Sequence, residues 1–283
     1  MENFLRIVEP EQIKRRSIKS KKRSKTPFYF ILLLLATTVF IGIQIKPQKI
    51  TKVTQLLSTP SKTAVKNPLR TTMRNFTNQD FATFYSSFAY PNTSEIVVPP
   101  KITDNPEADK KIQTLAVARG FKLRSAPVVP PVLVDDGYYL QQKAVEPLLE
   151  MQKAAKKAGL ALTLIAAFRS IDEQRDLFMS RLSATATAVA AGTADASVNE
   201  TLNVTAPPGY SRHHNGFTID LACGSVGGLA FLTTNCYKWL GDNNFANAKN
   251  YGWIPSYPQG ATSVGPEPEP WEYVWVSRGA LLQ

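Results

Sequence analysis

The 283-residue chain contains two histidines, and they are adjacent: His213 and His214. They lie in the run Ser211-Arg212-His213-His214-Asn215-Gly216-Phe217-Thr218-Ile219-Asp220. An imidazole and a carboxylate seven residues apart converge on one cation when the chain bends between them. Asn215-Gly216 supplies such a bend, because both residues tolerate positive φ. Phe217, Ile219 and Leu221 then alternate with Thr218 and Asp220, the pattern of a half-buried strand, which turns Asp220 away from the apolar face. A second cluster stands near the C-terminus, where Glu269 and Glu272 flank Pro270-Trp271. Pro270 fixes φ and removes a donor, so this segment is a shaped lead into a final strand. A carboxylate close to a metal-held water can act as general base, since zinc brings the pKa of that water to about 7. Singly, these pieces have plain structural readings: a His and an Asp at this spacing are more often structural, and an acidic pair beside proline is usually a solvated loop.

The elements that must position these groups are readable upstream. Leu160–Phe168 is a continuous apolar run of strand length that leads into Arg169-Ser170-Ile171-Asp172-Glu173. Ser170 with Glu173 three residues later fits a capping box, so a helix is expected to about Leu182. Arg169 then stands at a strand-to-helix junction, where a rigid element can project it toward a ligand. Ala144, Leu148, Met151 and Ala155 recur at helical spacing within Gln141–Gly159, and Pro147 implies that the regular helix starts or kinks there. Pro106–Gly120 also has helical spacing, with Gly120 as its stop. The segment SAPVVPPVLVDD, from Ser125, reads as extended loop or edge strand. Residues Ser183–Ala206 are small and polar and read as a mobile insertion.

Charge organises the N-terminus. Residues 1–27 carry nine Lys or Arg against three Glu, more than half of the chain's net +11. The cluster Lys14–Lys25 would suit nucleic acid, but Phe28–Ile45 follows it without a charged residue. That length approaches the ~20 residues that span a bilayer, and basic residues before such a span predict a cytoplasmic N-terminus. No small-x-small cleavage site follows, so an uncleaved anchor is expected rather than a removed signal peptide. The organisation expected is a basic cytoplasmic tail (1–27), a single-pass transmembrane anchor in the cell membrane (28–45), an extracytoplasmic stalk (46–100) and a folded domain (101–283). The stalk is rich in Thr, Ser, Lys, Asn and Pro, with one aromatic patch at Asn78–Phe88. Nucleic acid is not an expected partner. The basic tail serves as a topogenic signal or as a cytoplasmic interaction arm. Cys223 and Cys236, thirteen residues apart, suit a disulfide in an exported protein; free thiols and metal ligation are the alternatives.

Four separated segments, FRSIDEQRDLF, SRHHNGFTID, YGWIPSYPQG and EPWEYVWV, resemble in order the VanY-type D-alanyl-D-alanine carboxypeptidases. The resemblance runs from roughly Asp104 to Val276. It implies an α+β domain of the hedgehog/D,D-peptidase fold, a small antiparallel sheet flanked by helices, acting on peptidoglycan stem peptides with Zn2+. The motif S-x-H-x-x-G-x-A-x-D places His213 and Asp220 on metal-ligand positions and Ser211 on a substrate-contacting one. The motif E-P-W-H places Glu269 on the general base. Arg169 falls on the substrate-binding arginine, with Gln174 on the helix that follows.

Two positions depart from the pattern. Thr218 replaces a small Ala, and Glu272 stands where a third ligand, His, is expected. Carboxylate oxygens ligate zinc at about 2.0–2.2 Å, so Glu272 can complete a His213/Asp220/Glu272 set. Such a set carries two negative charges, lowers Lewis acidity and weakens the preference for zinc over ions such as Mn2+. Alternatively Glu272 faces elsewhere and the site is degenerate. His214 is not expected to substitute, because neighbours on a strand point to opposite faces. The activity implied is a metallo-carboxypeptidase, with Arg169 pairing the terminal carboxylate of a stem peptide. The alternative is a cell-wall peptide-binding domain of the same fold that does not cut.

Overall fold

The computed structural model describes residues 72–135, 137–258 and 267–283. In chain order the elements are α1 (Asn78–Ser87), β1 (Thr93–Glu95), α2 (Pro106–Ala118), β2 (Ser125–Pro127), β3 (Val132–Asp135), β4 (Tyr138–Leu140), α3 (Gln142–Lys157), β5 (Leu162–Ala166), α4 (Ile171–Arg181), α5 (Ala186–Ala190), α6 (Asp195–Leu202), β6 (Thr218–Cys223), α7 (Asn235–Lys249), β7 (Trp253–Pro255) and β8 (Glu272–Trp275). This is the expected α+β class. The largest sheet has the order β5-β6-β8-β7 and is antiparallel throughout, while β1-β2 and β3-β4 form two-stranded ribbons. Among the described residues no helix is long and apolar enough to cross a membrane. The expected basic tail and the expected span at 28–45 lie outside those residues.

Local chemistry sets the boundaries near the future site. Ser170 and Glu173 form the capping box anticipated for α4, each side chain bonding the other's backbone N–H. Pro147 lies inside α3 without ending it, and Ala144, Leu148, Met151 and Ala155 form the buried stripe of that helix. These residues pack with Leu164, Ile219, Leu221, Trp253, Tyr273 and Val274 in the main core, beneath the four-stranded sheet. The tight turn Arg212–Asn215 closes with Gly216 at φ 75°, and a Cβ there would lie 3.1 Å from Gln141 Cγ. Both facts favour glycine at this position.

Three expectations change. The strand at β6 is not half-buried: Thr218 is fully buried, because the 212–215 turn covers its face and its hydroxyl donates to Arg212 O at 3.0 Å. Residues Ser183–Ala206 are not a loose insertion, since α5 and α6 bury Val189, Val198 and Leu202 against Ile112 and Ala116 of α2 and Phe178 of α4. Their small residues allow helices to approach closely, and composition alone hid the few apolar anchors. The folded part also begins well before residue 101. Met73 bridges to Leu282, Phe81 and Tyr85 of α1 are buried, and Lys249 Nζ donates to Arg74 O at 2.7 Å. Asn244 exchanges two hydrogen bonds with the Phe76 backbone, which fastens this N-terminal segment to α7.

Cys223, at the end of β6, is disulfide-bonded to Cys236 in the first turn of α7. Closing a loop of this length contributes on the order of 3 kcal/mol by restricting the unfolded chain.

His214 lies in the 212–215 turn, not on a strand, and its ring is consumed by the scaffold. Nδ1–H donates to Arg169 O at 2.8 Å and Nε2 accepts from Gly209 N–H at 3.0 Å. A ring with one donor and one acceptor contact is neutral, and burial pushes its pKa down to about 4, with the charges of His213 and Arg169 acting in the same direction. A histidine lowered in the folded state stabilises above its unfolded value of about 6.5 and loses that contribution as pH falls toward 4. The stability difference between wild type and His214→Gln, from urea unfolding, should therefore shrink by up to about 3 kcal/mol between pH 7 and pH 4. A difference independent of pH would contradict this role.

Candidate metal centre and cleft

Strand pairing brings the first two acidic groups together. Asp220 of β6 is the direct partner of Glu272 of β8, so both side chains leave the same face of the sheet. The β5–β6 register slips between Leu164 and Ala166, and Ala166 pairs with Asp220. Such a bulge re-aims the chain beside a site. The next residue, Ala167, accepts from His213 Nδ1 at 2.8 Å. A carbonyl can only accept, so Nδ1 carries the hydrogen and the Nε2 lone pair points at the two carboxylates.

His213 Nε2 stands 3.5 Å from Asp220 Oδ1 and 3.5 Å from Glu272 Oε2. One ligand atom from each of the three residues lies within 4.8 Å of the others. Asp220 Oδ1 is buried and accepts no hydrogen bond among the described residues. Three acceptors that face one another in a buried place require positive charge between them. A proton can supply part of it: burial alone would lower the His213 pKa, but Asp220 and Glu272 overcome it and the net shift is upward. A divalent cation supplies it more fully. Tetrahedral N and O ligands at zinc distances stand about 3.4 Å apart, close to the two separations measured here, so the donor set fits such an ion.

Glu269 lines the same cleft. Its carboxyl is pushed up to about 9, first by burial and then by the negative charges of Glu272 and Asp220, with Arg212 pulling the other way. Cationic charge at the three-residue cluster would draw it back down. The turn that carries it is fixed by Glu272 N–H donating to Glu269 O at 3.0 Å.

The cleft has a volume of about 210 Å³, and Arg169 lies on its wall with Gln174, Ser211 and Trp271. Arg169 donates from Nη1 to Gln174 Oε1 at 2.9 Å, and Gln174 Nε2 donates to Ala206 O at 2.6 Å. Gln174 is buried, held between the Arg169 guanidinium and the Ala206 carbonyl. Ser211 caps the 212–215 turn, accepting from His213 N–H at 3.3 Å. All seven residues picked out in the sequence, His213, Asp220, Glu272, Glu269, Arg169, Gln174 and Ser211, thus meet at one cleft.

Arg212 is not among the residues that the sequence singles out. Its Nη1 donates to Glu272 Oε1 at 2.9 Å, and its guanidinium lies 3.9 Å from the Tyr257 ring centroid and 4.9 Å from that of Tyr85. The available signal was charge: an arginine beside His213, in a chain that has Glu272 where the family motif has a histidine.

The family model of VanY, described as D-alanyl-D-alanine carboxypeptidase, matches residues 137–278. YodJ of Bacillus subtilis (strain 168), which is named as a carboxypeptidase, is 31% identical over 146 residues. That match covers 50% of this chain and 48% of YodJ, so the chain spans about half the length of this relative. Among solved structures, a mutant of the vancomycin-resistance D,D-pentapeptidase VanY with Zn(II) is similar at 22% identity and a TM-score of 0.44, over 54% of this chain and 82% of that one. The LD-carboxypeptidase LdcB is similar at 25% identity and a TM-score of 0.42, over 65% and 72% respectively. With its family match spanning half the sequence and including every residue of the acidic cluster and the cleft arginine, the chain belongs to the VanY family of D-alanyl-D-alanine carboxypeptidases.

Proposed function

We propose that this protein is a metal-dependent D,D-carboxypeptidase of the hedgehog/D,D-peptidase fold that removes the terminal D-alanine from peptidoglycan stem peptides. The observation that carries the proposal is the convergence of His213 Nε2, Asp220 Oδ1 and Glu272 Oε2 as mutually facing acceptors, in a cleft that also holds Glu269 and Arg169. Family membership supports the same reading.

His213, Asp220 and Glu272 would hold the ion, zinc by family habit, with manganese a competitor for an oxygen-rich set. When bound, such an ion polarises a carbonyl and acidifies water. The chain's own residues do the rest. Arg169, aimed by Gln174, pairs the free carboxylate at the peptide's C-terminus, and a guanidinium suits that planar anion. Ser211, on the wall of the same cleft, would offer its hydroxyl hydrogen to the peptide. Glu269 takes the proton from the attacking water and delivers it to the nitrogen of the departing D-alanine. Cationic charge at the cluster would lower its pKa from the raised value of about 9, toward the range in which it can both take and give that proton.

We place the folded part outside the cell, tethered through residues 28–45. The basic cluster before that apolar run supports this, and so does the disulfide, a bond that persists in oxidising compartments.

A second reading is a domain that holds stem peptide without cutting it. The observation in its favour is that Glu272 already has a cationic partner in Arg212. Peptide binding that survives chelation, with no D-alanine released at any metal loading, would establish it.

For the full-length chain with a stem pentapeptide, D-alanine release measured by an amino-acid oxidase assay should vanish with chelator and return with zinc or manganese. Glu269→Gln should lower kcat by roughly 10²- to 10⁴-fold while metal content is retained. Release unaffected by chelator would sink the metal assignment, and an undiminished kcat in Glu269→Gln would remove its role as base.

Arg169→Ala should lower kcat/KM by roughly 10- to 100-fold on peptides with a free terminal carboxylate, the cost of a lost charge-assisted pair. Amidating the peptide terminus should cost the wild type a similar factor and the variant almost nothing. Equal sensitivity of both proteins to amidation would place the carboxylate elsewhere.

A further inference from the structure

Glu272 differs from its two companions in having its second oxygen committed. While Oε2 faces His213, Oε1 receives the Arg212 guanidinium at 2.9 Å. Both partners are nearly dry, with side chains 11% and 3% exposed. The guanidinium is packed against Tyr257 and Tyr85, which leaves it little freedom to swing away. Burying an ion pair this completely gives back in Coulomb energy little more than its desolvation costs. Stability alone is therefore a poor reason for Arg212 to be here.

Charge supplies a better one. A His/Asp/Glu ligand set carries one negative charge more than a His/Asp/His set; left unbalanced, Asp220 and Glu272, direct cross-strand partners, repel each other out of ligating position, and the extra charge blunts the ion's acidity. Arg212 adds one positive charge in direct contact with the extra carboxylate. The cluster of His213, Asp220, Glu272 and Arg212 therefore carries the same net charge as one carboxylate with two imidazoles.

We propose that Arg212 is a positioning residue for the metal: it fixes Glu272 as a one-oxygen ligand and cancels the charge by which Glu exceeds His. The inference rests on the metal-site reading given under Proposed function. It also assigns a task to the N-terminal segment, because Tyr85 belongs to α1, outside the residues 137–278 that match the family. Arg212 and Glu272 form a unit, to be exchanged together or not at all.

The test is zinc affinity of the full-length chain, from competition with a chromophoric chelator, joined to the visible spectrum of the Co(II) form as a reporter of coordination. Arg212→Gln should weaken zinc on the order of 10- to 100-fold and alter the cobalt spectrum, as loss of an outer partner of a ligand does. Arg212→Lys, which keeps the charge but not the planar fork, should fall between wild type and Arg212→Gln. Glu272→His alone should also bind weakly, since the guanidinium then faces an imidazole ligand. The double variant Arg212→Gln/Glu272→His should return to near the wild-type affinity, a rescue that a merely structural arginine would not permit. It also carries the test if Arg212→Gln does not fold. Wild-type affinity in Arg212→Gln, or losses that simply add in the double variant, would overturn the inference while leaving the metal site standing. No uptake of zinc, cobalt or manganese by the wild type would instead overturn the metal-site reading, and this inference with it.

Discussion

Asp220 and Glu272 face each other across β6 and β8, and that pairing is the constraint on which the rest of the cleft depends. Side chains alternate along a strand, so a slip of one residue would send one carboxylate to the opposite face. The register is held from several sides. Ile219 and Tyr273 pair in the main core, Pro255 of β7 pairs with Tyr273, and the disulfide fastens the far end of β6 to α7. The 212–215 turn then covers Thr218 and presents His213 over the two acids. Packing of ordinary apolar residues thereby fixes the position of groups that would repel one another if free to move.

That repulsion organises the chemistry. Asp220, Glu272 and Glu269 share one cleft, and the lone pair of His213 is directed at two of them. The structure answers this concentration of acceptors in graded ways. Arg212 takes one oxygen of Glu272, the pKa of His213 rises, and the carboxyl of Glu269 rises. Asp220 Oδ1 has no such answer within the described residues. Acceptors that outnumber donors at the centre, with the donors standing behind them, are the arrangement that fits the cation proposed for this site.

Most of the centre was legible because its residues are rare or oddly placed in the sequence. The chain's only histidines, a glycine that must turn, and two glutamates around Pro-Trp leave few alternatives for what could converge. Arg169 was legible through its neighbours, since Ser170 and Glu173 announce where α4 begins. What was hidden depends on contacts distant in sequence. Arg212 gains meaning only from Glu272, Tyr257 and Tyr85, which lie tens of residues away on either side. Thr218 becomes buried because a turn folds over it, not because of its own polarity. Ser183–Ala206 forms helices through a handful of anchors such as Val189 and Leu202, whose partners sit on α2 and α4. The N-terminal segment from residue 72 joins the domain by backbone bonds with Leu281 and Gln283, either side of the Met73–Leu282 bridge, and by the buried rings of Phe76, Phe81 and Tyr85, which a composition rich in polar residues concealed.

The central claim is that Glu272 replaces a histidine as the third ligand. A crystal of the full-length protein grown with zinc, with anomalous scattering measured on both sides of the zinc edge, tests it most directly. The account predicts one buried ion about 2.0–2.2 Å from His213 Nε2, Asp220 Oδ1 and Glu272 Oε2, with Glu272 Oε1 still on Arg212. An ion held by His213 and Asp220 with Glu272 turned away, or no ion at this cluster, would contradict it.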